Sequence, residues 1–174
     1  MATSKVKGIR KLNKAIRTAF EPLGVKKMRL AEDYGYYITD DTIEYRITEG
    51  HIEDKWFNQF IKERFNYKVK NTFIFSILHE IGHLNTLAEI RECDILYDFC
   101  ENEKDRIRQE MNEAENIKQS KKLEWQYFNL PDEIAATAWA VDYAKENEEE
   151  LAEIWKLIET ALHEFYAKNI TEGD

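Results

Sequence analysis

Residues 73–83, FIFSILHEIGH, form an apolar run broken by His79, Glu80 and His83. Read as a helix, this stretch puts His79 and His83 one turn apart on a single face, with Glu80 in the same third of the circumference. Two imidazoles so spaced can hold Zn²⁺ through ring nitrogens, while the glutamate between them is free to take a proton from water at the metal. The competing reading is a buried helix that happens to carry two histidines. Unpartnered imidazoles are costly in so apolar a segment, and ligation removes that cost, so the metal reading is preferred.

Two histidines do not complete such a site, because catalytic zinc usually takes three protein ligands and leaves a fourth position for water. If the helix continues past His83, Glu89 points away from the histidines, and Glu92 lies near the opposite face about 13 Å along the axis. The sharp turn of the metzincins needs a glycine where this chain has Thr86 and a histidine or aspartate where it has Glu89. The third ligand is therefore expected from another element. Glu133 is the leading candidate: it falls in the first turn of a helix, where the macrodipole favours a carboxylate. On the same face Ala136 and Ala140 are small enough to let two helices approach closely. Asp132 and Glu133 could equally be acidic residues decorating a helix start, and Asp132, Glu124 and His163 stand in reserve as ligands.

The elements that must carry these residues are legible in outline. Ile9, Leu12 or Asn13, Ile16 and Phe20, with Val6 ahead of them, recur at three to four residues, so residues 4–20 read as an amphipathic helix ending before Pro22 and Gly24. A strand is expected over 25–31, and 35–39 with 42–48 read as a hairpin around Asp40 and Asp41, giving a small antiparallel or mixed sheet of about three strands. Residues 53–66 return to helix with Trp56, Phe57, Phe60, Ile61 and Phe65 on one side. Asn71 or Thr72 caps the histidine-bearing helix, which runs to about Arg91, with Ile77, Ile81, Leu84 and Ala88 as its apolar stripe. Residues 92–122 are highly charged, with a thin apolar line of Leu96, Phe99, Cys100, Ile107 and Met111. They read as a helical insertion, a solvated excursion or lid, or as a mere connector. Pro131 opens the next helix, and a last one covers about 148–168.

The whole chain bounds the rest. With 174 residues, six glycines and two prolines, it reads as a single domain over 1–174, α+β and mainly helical. No run approaches the roughly 18 apolar residues of a membrane span, and the basic start lacks an apolar segment behind it, so a cytoplasmic protein is expected. Cys93 and Cys100, about 10 Å apart on a continuous helix, read as reduced thiols. Residues 1–30 carry nine lysines and arginines against Glu21 alone, a local charge of +8 in a chain of net charge -9. Such a patch can bind nucleic acid, but no nucleic-acid motif accompanies it. A solvated helix face docked on an acidic body is the favoured reading.

The pair of motifs carries a resemblance. His79-Glu80-x-Gly82-His83, followed by Glu133-x-x-Ala136-x-x-Trp139-Ala140, resembles the gluzincin branch of zinc metallopeptidases, and most closely the ImmA/IrrE-type peptidases of bacteria and their mobile elements. The likeness covers roughly the central half of the chain. It implies His79, His83 and Glu133 as zinc ligands and Glu80 as catalytic base. It further implies a zincin-like fold, with the small sheet packed on the active-site helix and an edge strand that receives the peptide. Where that family has asparagine or aspartate four residues after the ligand glutamate, this chain has Thr137, whose hydroxyl can still bond a histidine. The gap between the motifs is also longer, and residues 92–122 account for it.

The activity so implied is zinc-dependent hydrolysis of peptide bonds in a protein or peptide substrate. An edge strand within 42–48 would align the peptide, and Tyr127, Tyr143 or His163 would steady the oxyanion. His51 reads as plain surface. The alternative is a catalytically weak zincin-like module, from a bacterial mobile element or phage, that binds or regulates a protein partner.

Overall fold

The computed structural model describes residues 8–47 and 51–170; Val6, Lys5 and Lys7, part of the expected first helix and basic patch, lie outside them, as does Thr48 of the expected third strand. The described residues are mainly helical, with one three-stranded sheet among them. It divides into two compact units. One is built from Met1–Arg46 together with Asn147–Asp174, the other from Ile47–Glu146.

In the first unit, helix α1 (Ile9–Phe20) buries Leu12, Ile16 and Phe20, spaced four residues apart as one helical stripe requires. Pro22 sits in a single 3₁₀ turn (Glu21–Leu23), and Gly24, at φ 86°, stops it by returning its N–H to the carbonyl of Glu21. Strands β1 (Lys27–Leu30), β2 (Gly35–Tyr37) and β3 (Thr42–Tyr45) follow. The expected hairpin forms, β2 running antiparallel to β3 with Tyr36 opposite Ile43. Strand β1 pairs with β3 in parallel, so the sheet is mixed and its order is β1-β3-β2. This corrects one expectation: β3 is the central strand, hydrogen-bonded on both sides, and cannot receive a peptide as an edge. The edges are β1 and β2.

Helix α7 (Glu148–Ile170) packs against α1 in the same unit. Several basic residues among those described in this unit meet acidic ones: Lys11 pairs with Glu164 on α7, Arg17 with Glu21 at 3.1 Å, Lys26 with Asp41 at 3.3 Å and Lys27 with Asp40 at 3.4 Å. Tyr45 donates its hydroxyl to Asn13 on α1 at 2.7 Å, tying the central strand to the helix.

The second unit is all helix among its described residues: α2 (Ile52–Phe65), α3 (Thr72–Arg91), α4 (Asp94–Asn112), α5 (Ile117–Phe128) and α6 (Pro131–Glu146). Asn71 caps α3, its side chain accepting from the backbone N–H of Ile74 at 3.0 Å. From Ile74 to His83 every residue of α3 is buried, which makes this stretch a central helix rather than one with a single apolar stripe. Leu84 is half-buried and Ala88 exposed. The charged insertion is two helices broken near 113–116, not one solvated rod. Ile107 of α4 joins Leu123 of α5 and Leu130 in a buried cluster, with Met111 and Tyr127 packed on it. No helix among the described residues is long and apolar enough to cross a membrane.

Candidate metal centre

Helices α3 and α6 pack tightly against each other, and the reason is a glycine. A Cβ built on Gly82 would lie 2.9 Å from both Cα and C of Ala136, and nearer still to its carbonyl oxygen. Backbone cannot give way as a flexible side chain can, so only glycine allows this approach. Ala136 and Ala140, both wholly buried, supply the other half of it. The short distance between the two helices is what lets a glutamate on α6 reach histidines on α3.

It does reach them. Nε2 of His79 lies 3.1 Å from Oε2 of Glu133, and Nε2 of His83 lies 3.4 Å from that same oxygen. One donor atom from each of the three residues falls within 4.8 Å of the others. Nitrogen and oxygen ligands held at 2.0–2.1 Å by a tetrahedral Zn²⁺ are about 3.3 Å from one another, so the two histidine-to-glutamate distances match edges of such a site. The histidine rings stand nearly perpendicular, 80° apart with centroids at 4.7 Å. All three residues and Glu80 are buried.

The surroundings orient the donors. Thr137, fully buried one turn beyond Glu133, has its hydroxyl 3.1 Å from Nδ1 of His79. When Nδ1–H donates to that hydroxyl, Nε2 presents its lone pair toward Glu133, the form in which His79 can ligate a metal. Phe57 stands edge-on to His79 with centroids at 5.1 Å and continues through Phe128 into an aromatic wall that includes Phe60 and Trp125. On the other side, Lys104 of α4 contacts Asp132 and lies 2.8 Å from Oε1 of Glu133. Its ammonium also sits over the ring of Tyr127, 5.7 Å from the centroid.

Electrostatics point the same way. Burial opposes ionisation of Glu133, but the charge of His83, hydrogen bonds from both histidines and the Lys104 ammonium outweigh it and hold the carboxyl well below its usual range. Burial likewise works against the charge on Lys104, and the carboxylates of Glu133 and Asp132 more than restore it, so the amine stays protonated. Burial pushes the phenol of Tyr127 above its ordinary value, helped by Glu133 and Glu80. Glu80, Asp132 and Glu133 place three carboxyl groups in buried positions, and Lys104 brings a buried ammonium against two of them. Two imidazoles with a carboxylate are donors that suit zinc, although the set also takes other first-row metals.

Of the expected site residues, His79, His83 and Glu133 come together, and Glu80 is buried on α3 between the two histidines in sequence. The reserve ligands do not join the group: Asp132 turns to Lys104, Glu124 lies on α5, and His163 is exposed on α7 in the other unit. Among the oxyanion candidates, Tyr127 is the one beside the site. Tyr143 stacks on Trp139 with centroids at 5.4 Å. His51 precedes α2, half-buried, with Nδ1 3.8 Å from Glu53. Lys104 has no place in the expected set, and Gly82 enters it only as a letter of the motif, with no packing role. Lys104 had a signal, since it follows Cys100 by four residues and precedes Ile107 by three, squarely on the apolar line of α4. No protein-family model, curated protein or solved structure matches the chain.

Proposed function

We propose that this chain is a zinc-dependent peptidase, with His79, His83 and Glu133 as the metal ligands and a zincin-like arrangement of the two helices that carry them. The observation that carries the reading is the convergence of both histidine Nε2 atoms on one oxygen of Glu133, with Glu80 on the next residue of the same helix. Zinc, when bound there, supplies Lewis acidity that polarises a peptide carbonyl and makes water acidic enough to lose a proton near pH 7.

The protein's own groups do the remaining work. Glu80 accepts the proton of the attacking water and passes it to the amine that leaves. Thr137 fixes the ring of His79 so that Nε2 faces the ion. Tyr127, protonated because burial holds its phenol up, donates a hydrogen bond to the oxyanion that develops on the substrate carbonyl. The aromatic wall of Phe57 and Phe128 limits water at the His79 side.

Metal content and peptide hydrolysis measured on the same preparations test this. The purified protein is expected to hold about one zinc per chain and to cleave unstructured protein. Glu80→Gln should keep the zinc and lose cleavage, whereas a module that acts only by binding a partner would work unchanged. Glu133→Ala should lose the zinc, and near-stoichiometric zinc in that variant would remove Glu133 from the ligand set.

A further inference from the structure

Lys104 is a buried cation that the hydrolytic scheme leaves without a task, and it comes from the charged insertion rather than from either motif helix. We infer that Lys104 is a positioning residue of the metal centre, which occupies one oxygen of Glu133, leaves the other as the only carboxylate donor to the ion, and keeps the ion exchangeable. The inference rests on the zinc reading above.

The carboxylate of Glu133 is divided between two sets of partners. Both histidines address Oε2, at 3.1 and 3.4 Å, while the ammonium of Lys104 addresses Oε1 at 2.8 Å. A carboxylate with one oxygen so held offers a single donor. With two imidazoles this gives three protein donors and an open fourth position, whereas a two-oxygen carboxylate would crowd that position. Asp132 anchors the same ammonium from the residue before Glu133, and the ring of Tyr127 lies beneath it. A lysine serving only to stabilise α4 against α6 would need Asp132 alone.

The cost of this arrangement falls on the metal. Two cations that share one carboxylate repel each other, and in a buried site that repulsion is weakly screened. Lys104 therefore lowers the affinity of the site while the protein is loaded, and it stands in as a counter-charge to Glu133 and Asp132 while the protein is not. By reciprocity, removing the lysine charge must tighten metal binding.

Zinc affinity of the metal-free full-length chain, read by competition with a chromophoric chelator, tests the inference without reference to catalysis. Lys104→Met is expected to bind zinc about tenfold more tightly or better, while Lys104→Arg, which keeps the charge, stays within about threefold of the parent. Asp132→Asn leaves the ammonium with Glu133 as its only carboxylate partner and should weaken zinc binding several-fold, which gives a second reading should Lys104→Met not fold. Equal or weaker binding by Lys104→Met, or unchanged or tighter binding by Asp132→Asn, overturns the role assigned to Lys104. His83→Ala separates the two levels. If the parent binds zinc no better than His83→Ala, the zinc reading fails and this inference with it. If His83→Ala is impaired but Lys104→Met matches the parent, only the role of Lys104 is lost.

Discussion

Gly82 of α3 sits so close to Ala136 of α6 that a single added methyl group would strike the Ala136 backbone. This contact sets how closely the two helices approach, and Glu133 is within reach of the histidines because of it.

Gly82→Ala should therefore lower both stability and metal binding. Overpacking of this kind costs about 1–3 kcal/mol, and a clash with backbone belongs at the upper end of that range. Denaturant midpoints and zinc content give the two readouts. A variant as stable as the parent, with full zinc, would show that α3 and α6 can part without consequence for the site.

Thr137→Val keeps the shape of a buried side chain and deletes its hydroxyl, 3.1 Å from Nδ1 of His79. Loss of a partner that orients a ligand histidine typically costs about 10–100-fold in metal affinity or activity. Chelator competition should find zinc binding weakened in that range, with the helical circular dichroism of the parent. Unchanged affinity would mean that the ring of His79 is oriented without Thr137.

Tyr127→Phe retains the ring on which Lys104 and Arg108 lie and removes only the phenolic group. Deleting one donor to an oxyanion lowers kcat by about 100-fold or more. The expected result is a fall in kcat of that order, with KM, zinc content and melting temperature close to the parent. Loss of zinc instead would move Tyr127 from the reaction to the support of the site.

The two cysteines should differ in reactivity and in their contribution to stability with pH. Cys93 is exposed and Cys100 buried, and burial pushes the thiol of Cys100 up from 9.0 to about 11. At pH 8 iodoacetamide should label Cys93 and spare Cys100 in the folded protein, as peptide masses would report. Between about pH 9 and 11 the folded chain keeps a proton on Cys100 that the unfolded chain releases. That contribution is complete below pH 9 and is lost as pH rises through about 11. Cys100→Ala should lose stability less steeply over pH 9 to 10 than the parent, and parallel curves would contradict the assignment.

How legible these features are in the sequence depends on whether their causes are local. The bounds of α3 can be read because Asn71 caps its first turn through its own side chain. Glu133 can be read because Pro131 marks a helix start and the small residues that follow mark a close face. The central place of β3 cannot, since its parallel pairing with β1 is a long-range contact and nothing in either strand encodes the order. Gly82 has a meaning only once Ala136 is opposite it. Lys104 was hidden by its neighbours: in a segment crowded with charges, one lysine that turns inward looks like the many that do not, save for its position on the line from Cys100 to Ile107.

Every group assigned to the metal centre belongs to one uninterrupted stretch of chain, Ile47–Glu146, whereas α1 and the helix it packs on, α7, lie on either side of that stretch. During synthesis the ribosome delivers the ligands, the base and Lys104 before the last helix has left the exit tunnel, and domains fold as units in the order they emerge. The metal pocket can thus be assembled on a nascent chain, while α1 still awaits α7, the helix it packs on.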